Sequence, residues 1–185
     1  GDGRGPNKPL HEQMKPSAEP ISVRPLFDFQ INGFGGIDFQ AETLSQAELE
    51  HAVAAMRRHG LGGIFATLFT DEIDAHCRRL QNFEQLRAAS PDIARMIVGY
   101  HIEGPWLSPE PGYRGAHPPG PMHAPSMAEF DRLQAAANGR IKLITVAPEW
   151  SGSAACIADM TRAGVNISLG HTNASSEQID AAIRA

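Results

Sequence analysis

The sequence predicts an α/β protein built on a parallel sheet, because strand-like and helix-like segments alternate along most of its 185 residues. The strand-like segments are short and often apolar on consecutive residues, which is typical of strands buried on both faces. Helical crossovers between such strands require a parallel sheet. The five expected strands are Leu26–Ile31, Gly62–Leu68, Arg95–His101, Ile141–Ala147 and Val165–Leu169.

The intervening segments carry the end signals of helices. A first helix is expected from Ser45, with Glu48 as the partner in a capping box and Gly60 just past its end. Pro91 is expected to stop the second helix. The later helices are expected at about Asp71–Ala89, from Ser126 with Glu129 as its capping-box partner, at about Ser153–Ala163, and from about Ser175.

Composition narrows the classes of partner. The net charge is −5 and the basic residues are scattered, so no patch for nucleic acid is predicted. No segment approaches the run of about 20 apolar residues that spans a bilayer, so no membrane partner is predicted. The two cysteines, Cys77 and Cys156, are expected to be free in helices, which favours a cytoplasmic location.

The first 24 residues differ in composition from the rest. They are rich in proline, glycine and charge, and predict a disordered or poorly packed lead without the apolar core of a signal peptide. The folded domain is expected at residues 25–185. Its topology alone fits either a doubly wound open sheet or the first five βα units of a (β/α)₈ barrel, and favours the open sheet because a whole barrel needs about 250 residues.

Polar residues at the ends of the predicted strands reverse that preference. Gln30 and Asn32 are two residues apart, so they point to the same side of the first strand. Glu103 follows an apolar run, where a carboxylate is costly unless it is paired, hydrogen-bonded or bound to a metal. His171 follows the fifth strand. Glutamate and histidine supply the oxygen and nitrogen donors that zinc or iron(II) accepts. Glu103 and His171 can converge on one ion only if their strands are near neighbours in a closed barrel.

A long segment and a weaker motif complete the candidates. Residues 104–125 hold seven of the 14 prolines, and long loops in compact domains are usually functional. Within this loop His117 is the best candidate for a substrate contact, and Ala116 beside it belongs to the same GAHP motif. In the segment Thr145–Glu149, a solvated Glu149 after a proline turn is at least as well supported as a functional one.

In combination these segments resemble a family. FQINGFGGIDF, HIEGPWLSPEPGYRGAHP, ITVAPE and SLGHTNAS are similar, in this order, to the marker segments of the N-acetylglucosamine-6-phosphate deacetylases of the amidohydrolase superfamily. The resemblance covers about Phe27 to Ala185. It implies a metal-dependent (β/α)₈ barrel, here a partial TIM-type barrel of about five βα units, that hydrolyses the N-acetyl group of the sugar phosphate.

The resemblance also implies roles. Glu103 and His171 resemble metal ligands of the family, and His117 resembles the residue that contacts the bound sugar phosphate, with Ala116 and Asn32 beside it. Gln30 and Asn32 stand where many amidohydrolases have a His-x-His pair. This implies one zinc or iron(II) ion, with Gln30 near the metal-bound water.

The family pattern extends past this sequence. A second histidine ligand and a catalytic aspartate are expected beyond residue 185, so the sequence is expected to be a fragment without its catalytic residue and with little or no turnover alone. Family members are often dimers, and a homodimer is expected of a longer protein. Two other hypotheses stay open: a non-catalytic sugar-phosphate-binding or self-associating barrel remnant, and an amidohydrolase with a different substrate.

Overall fold

A five-stranded parallel sheet forms the centre of the computed structural model, which describes residues 23–185. The strands are β1 (Leu26–Ile31), β2 (Gly33–Phe34), β3 (Ile37–Asp38), β4 (Leu61–Phe69), β5 (Ile97–Glu103), β6 (Ile141–Val146) and β7 (Asn166–Leu169). The helices are α1 (Gln46–Arg58), α2 (Ile73–Ala89), α3 (Pro91–Met96), α4 (Met127–Ala136), α5 (Ser153–Arg162) and α6 (Ser176–Arg184). Strands β2 and β3 form a separate antiparallel hairpin.

The order of the strands decides between the two predicted architectures. The sheet runs β1-β4-β5-β6-β7, and every neighbouring pair is parallel. Each strand therefore pairs with the next one of the sheet along the chain. A doubly wound sheet reverses its order at a switch point, whereas a barrel adds strands in one direction. The partial TIM-type barrel is confirmed and the open sheet is wrong.

Four of the five predicted strands match the structure to within one residue at each end. The third does not, because Arg95 and Met96 belong to α3 rather than to β5. Proline fits the first turn of a helix, where its missing N–H costs nothing, so Pro91 begins α3 as well as following α2. The capping box of Ser45 and Glu48 is confirmed at α1.

The expected capping box at Ser126 is wrong. Ser126 makes no side-chain cap, and Glu129 instead accepts hydrogen bonds from Trp106 Nε1 at 3.1 Å and from the His123 ring at 2.8 Å. A tertiary contact has replaced the local one. Glu129 thus ties the loop that follows β5 to α4.

The core lies between the sheet and the helices packed on it. Inside the curved sheet, the His101 ring is 2% exposed and lies between the hydroxyls of Thr67 at 3.2 Å and Thr145 at 2.8 Å. Burial lowers the pKa of His101 to about 4, so the ring is neutral at pH 7. This hydrogen-bonded layer joins β4, β5 and β6 beneath the carboxyl ends of the strands.

Strand β1 departs from the expectation of burial on both faces. Leu26, Phe27 and Phe29 are 60%, 51% and 59% exposed. Within residues 23–185, β1 pairs on one side only, with β4, which makes it an edge of the sheet. The predicted lead at residues 1–24 falls almost wholly outside the described residues; Val23 and Arg24, which are described, are exposed.

Both cysteines are free, as the sequence predicts. No helix within residues 23–185 is both long enough and apolar enough to cross a membrane.

Candidate metal centre

Side chains from β1, β5 and the loop after β7 meet at the carboxyl ends of the strands. Glu103 is the last residue of β5 and is 7% exposed. The Gln30 amide donates to both oxygens of Glu103 at 3.1 Å. His171 Nε2 lies 3.2 Å from Glu103 Oε1. The fold therefore brings Glu103 and His171, 68 residues apart in sequence, into contact at the mouth of the half-barrel.

A third potential ligand lies beside this pair. The rings of His117 and His171 are 4.5 Å apart, centroid to centroid. One donor atom from each of Glu103, His117 and His171 lies within 4.8 Å of the others. Burial lowers the pKa of His117, and the neighbouring His171 lowers it further although Glu103 opposes the shift. The site thus keeps His117 neutral, the form in which an imidazole binds a metal or accepts a hydrogen bond.

Hydrogen bonds on the far side of each ring favour one tautomer. Thr70 Oγ1 donates to the Glu103 carbonyl at 3.3 Å and lies 2.8 Å from His117 Nδ1, so it is placed to accept from that nitrogen. His171 Nδ1 lies 3.3 Å from the Tyr113 carbonyl, which can only accept. Metal-binding histidines usually have such a partner on their other nitrogen. In the neutral form of either ring, the nitrogen without a proton is then Nε2.

In this tautomer the neutral His171 ring would be repelled by the Glu103 carboxylate. A bare Nε2 at 3.2 Å from a carboxylate oxygen places two lone pairs face to face. A proton on Nε2 or a metal ion bound by both atoms removes this repulsion. Two ligands held at about 2.0–2.1 Å from a tetrahedral zinc ion are about 3.3 Å apart, which fits the separation. The donor set of one carboxylate and two imidazoles therefore fits a divalent metal of the zinc or iron(II) kind.

No fixed positive charge satisfies Glu103 instead. Among residues 23–185, His171 is the only basic side chain within 4.0 Å of its carboxylate. Gln30 offers only an uncharged amide. A buried carboxylate without a cationic partner is costly, and a bound metal removes that cost.

A cavity of about 360 Å³ opens next to the ligands. Its lining contains the three residues predicted to contact substrate, together with Glu103 and a residue that the sequence did not indicate: Asn32, Phe69, Glu103, Ala116 and His117. The Phe69 ring contacts the His117 ring edge-on, with centroids 6.1 Å apart. The fold thus gathers every predicted site residue in one place, and their individual roles stay predictions.

One further residue of the site was missed, and the role of another was left open by the sequence. Thr70 directly follows β4, so the same strand-end argument that selected Glu103 could have found it. For Glu149 the sequence left a solvated and a functional role open, and in the structure its carboxylate accepts hydrogen bonds from the Thr172 hydroxyl and, at 2.9 Å, from the Asn173 N–H. No sequence pattern predicts that contact, because it joins loops 23 residues apart.

The backbone at this end of the sheet is tightly packed. Gly104 has a φ of +99°, and a Cβ at this position would overlap the Thr70 hydroxyl. Glycine is therefore required for Thr70 to reach both Glu103 and His117. His171 itself has a φ of +50°, a left-handed conformation uncommon outside glycine.

Comparison with known proteins points to one group of enzymes. An N-acetylglucosamine-6-phosphate deacetylase of Danio rerio is 30% identical over 167 residues, covering 86% of this chain and 39% of the relative. An N-acetylgalactosamine-6-phosphate deacetylase of a Shewanella species is 33% identical, covering 88% of this chain and 39% of the relative. No family model matches the chain.

A solved structure agrees in fold and sequence. An N-acetyl-D-glucosamine-6-phosphate deacetylase from Mycobacterium smegmatis, in complex with N-acetyl-D-glucosamine-6-phosphate, superimposes with a TM-score of 0.77 at 36% identity. The alignment covers 88% of this chain and 40% of that chain. The chain is a homologue of the N-acetylglucosamine-6-phosphate deacetylases. It spans about two fifths of the length of these relatives.

Proposed function

We propose that the chain forms the metal- and substrate-binding part of an amidohydrolase that removes the acetyl group from N-acetylglucosamine-6-phosphate. The products are glucosamine-6-phosphate and acetate. The observation that carries the proposal is Glu103, a buried carboxylate that faces two imidazoles and, among residues 23–185, has no arginine or lysine within 4.0 Å. The named activity of the relatives supports the substrate.

In this proposal each residue of the site has a separate task. Glu103 and His171 hold one zinc or iron(II) ion. When bound, such an ion polarises an amide carbonyl and lowers the pKa of its water toward about 7. Gln30 fixes both oxygens of Glu103 and lies where it can orient that water.

The neighbouring cavity takes the sugar. His117 is neutral and its Nδ1 is occupied by Thr70, so its remaining ring nitrogen accepts a hydrogen bond from a hydroxyl or amide of the substrate. Asn32 and Ala116 line the same cavity. Phe69 supplies an apolar wall of the size that an acetyl group or a sugar face would contact. The proposal assigns the proton-transferring group of the reaction to none of residues 23–185.

The proposal is tested with the chain itself and with a chimera. The 185-residue chain is expected to bind one zinc ion but to release little or no acetate. A chimera in which it replaces the aligned part of the Mycobacterium smegmatis enzyme is expected to release acetate from N-acetylglucosamine-6-phosphate. In the same chimera Glu103→Gln should stop the reaction while circular dichroism shows an unchanged fold. A folded chimera that binds no metal, or that works without one, would contradict the proposal.

A second substrate is supported by the comparisons. The N-acetylgalactosamine-6-phosphate deacetylases are about as similar as the N-acetylglucosamine-6-phosphate enzymes. The two sugars differ only in the configuration at one ring carbon. The chimera and its parent enzyme should therefore be assayed with both sugars, and kcat/KM compared. A preference of tenfold or more for the galactose form in the chimera alone would assign that substrate to this chain.

A non-catalytic alternative rests on strand β1. Its exposed apolar side chains, Leu26, Phe27 and Phe29, lie on an edge of the sheet, and such an edge favours association with another chain. Sedimentation velocity at several protein concentrations separates this alternative from the enzyme proposal. Concentration-dependent association with no metal and no sugar-phosphate binding would favour the self-associating remnant.

A further inference from the structure

The segment that carries His171 is held in an unfavourable backbone conformation. His171 has a φ of +50° and is followed directly by Thr172 and Asn173. Residues in this region persist only where surrounding contacts fix them. The contacts that fix this segment therefore control where the imidazole of His171 lies.

The side chain of Glu149 supplies two of these contacts. Its Oε2 accepts a hydrogen bond from the Thr172 hydroxyl, and its Oε1 accepts one from the Asn173 N–H at 2.9 Å. The Thr172 hydroxyl in turn accepts from the Ala174 N–H at 3.0 Å. Both oxygens of one carboxylate thus bind two consecutive residues, immediately after the metal-site histidine.

A second loop holds the same segment from the other side. The Ser108 N–H donates to the His171 carbonyl at 2.9 Å, and Ser108 is 1% exposed. Gly115 packs against the His171 ring, where a Cβ would lie 3.4 Å from Cε1. The backbone and ring of His171 are therefore bounded by the loop after β5, and the residues after it are bound by the loop after β6.

Glu149 has no cationic partner that would explain its position. Within residues 23–185 no arginine, lysine or histidine lies within 4.0 Å of its carboxylate. Burial raises the pKa of Glu149, but the hydrogen bonds from Asn173 and Thr172 outweigh it and hold the pKa below its ordinary value. Its two oxygens bind the Thr172 hydroxyl and the Asn173 N–H of the segment, and the Ser108 side chain makes a smaller contribution to the lowered pKa.

We propose that Glu149 is a positioning residue that holds the 171–174 segment so that His171 faces Glu103. The proposal rests on the proposed function only in calling His171 a metal ligand. Glu149 touches neither Glu103 nor the cavity lining, so it acts through Thr172 and Asn173. Positioning groups around metal ligands typically change metal affinity by about 10- to 100-fold when they are removed.

The test combines cobalt(II) titration with hydrogen exchange. In Glu149→Gln an NH₂ group replaces one carboxylate oxygen. The side chain then has one oxygen left and cannot accept from both the Thr172 hydroxyl and the Asn173 N–H. We expect the cobalt(II) dissociation constant to rise 10- to 100-fold and amide exchange in residues 171–174 to accelerate at least tenfold. The matched control is Glu110→Gln, because Glu110 is exposed near the same loops and its side chain holds nothing there; it should change neither quantity.

A second pair of variants keeps the test decisive if Glu149→Gln is unstable. Thr172→Val removes only the hydroxyl and should reproduce a smaller loss, whereas Thr172→Ser keeps the hydroxyl and should restore both readouts. A purely structural role for Glu149 would lower the melting temperature of Glu149→Gln and Thr172→Val while the cobalt(II) dissociation constant stays unchanged.

The cobalt(II) affinity and the amide exchange show separately whether the proposed function or the positioning role of Glu149 fails. If the wild-type chain binds no cobalt(II), the proposed function fails, and the exchange measurement still decides the role of Glu149. If Glu149→Gln leaves both affinity and exchange unchanged, the positioning role is overturned.

Discussion

Two carboxylates near opposite ends of the sheet, the half-buried Glu84 and the buried Glu103, have different neighbours. The Glu84 side chain is 16% exposed and that of Glu103 is 10% exposed. Glu84 accepts from Tyr100 at 2.7 Å and pairs with Arg140 at 2.9 Å and Arg87 at 3.1 Å. Glu103 has an amide and imidazoles around it, but no arginine or lysine among the described residues.

The difference separates a structural charge from a functional one. At the amino end of the strands the fold neutralises Glu84 with its own cations, so nothing further is needed. At the carboxyl end, Glu103 has no arginine or lysine within 4.0 Å among residues 23–185, and two imidazoles lie beside it. A carboxylate left in this state is expected where a ligand completes the site.

The largest expected effect is on metal affinity at Glu103. Glu103→Gln keeps the shape and removes the anionic ligand, so the zinc dissociation constant should rise by more than about 100-fold. The apo protein should lose little stability, because no arginine or lysine of residues 23–185 pairs with Glu103. Calorimetric titration with zinc, beside a thermal melt, measures both quantities. Equal zinc affinity in the variant and the wild type would contradict the assignment.

The second comparison uses one glycine at each end. Gly104→Ala combines a disfavoured φ of +99° with overlap of the Thr70 hydroxyl, and should cost about 3 kcal/mol. Gly139→Ala meets no atom within 4 Å and has a φ of +72°, so it should cost only about 1 kcal/mol. Urea unfolding of both variants gives the free energies. Equal losses would show that Thr70 is not held against Gly104.

The third prediction is that a change at Glu84 lowers stability and leaves zinc affinity unchanged, the opposite of the result expected at Glu103. Glu84→Gln leaves two partly buried arginines without their anion and should lower the free energy of unfolding by roughly 2 kcal/mol, a reduced figure because Arg140 is partly exposed. For a chain of this size that is about 4–8 °C in melting temperature. Zinc affinity should not change. A loss of zinc binding in Glu84→Gln without a loss of stability would contradict the structural role of Glu84.

The smallest expected effect concerns His76, a buried imidazole in α2. It is 0% exposed, and neither ring nitrogen has a hydrogen-bond partner among residues 23–185. Burial lowers its pKa to about 4, although Asp71 opposes the shift. The unfolded chain takes up the proton near pH 6.5 and the folded chain does not. Stability attributable to this residue should therefore fall by about 1 kcal/mol between pH 7 and pH 5.5.

His76→Leu tests that prediction, because leucine fills the buried space and does not titrate. The variant should lose stability less steeply than the wild type over the same pH range. Urea unfolding at pH 7, 6.25 and 5.5 gives the slopes. Parallel slopes would mean that His76 is hydrated or paired in solution.

Local patterns predicted the sheet well and its contacts poorly. Strand β1 was predicted with the right limits, and β6 within one residue, because consecutive apolar residues bounded by polar ones are a local signal. Helix α3 was missed because Pro91 is compatible with both ending one helix and beginning another. The Ser126 capping box failed because Glu129 accepts instead from His123, six residues away, and from Trp106, 23 residues away.

The site shows the same division. Glu103, His171 and Gln30 could be predicted because carboxyl ends of parallel strands meet at one edge of the sheet, so polar strand-end residues converge. Glu149 could not, because its donors lie in a loop whose path is set by the whole fold. Phe69 was hidden within an apolar strand, where nothing distinguishes a cavity wall from a core residue.

X-ray absorption of the zinc-loaded protein tests most directly whether Glu103 and His171 share one divalent ion. We expect one zinc per chain in a shell of nitrogen and oxygen at about 2.0–2.1 Å, with imidazole scattering that weakens in His171→Asn. A shell containing sulfur at about 2.3 Å, or one unchanged by His171→Asn, would contradict it.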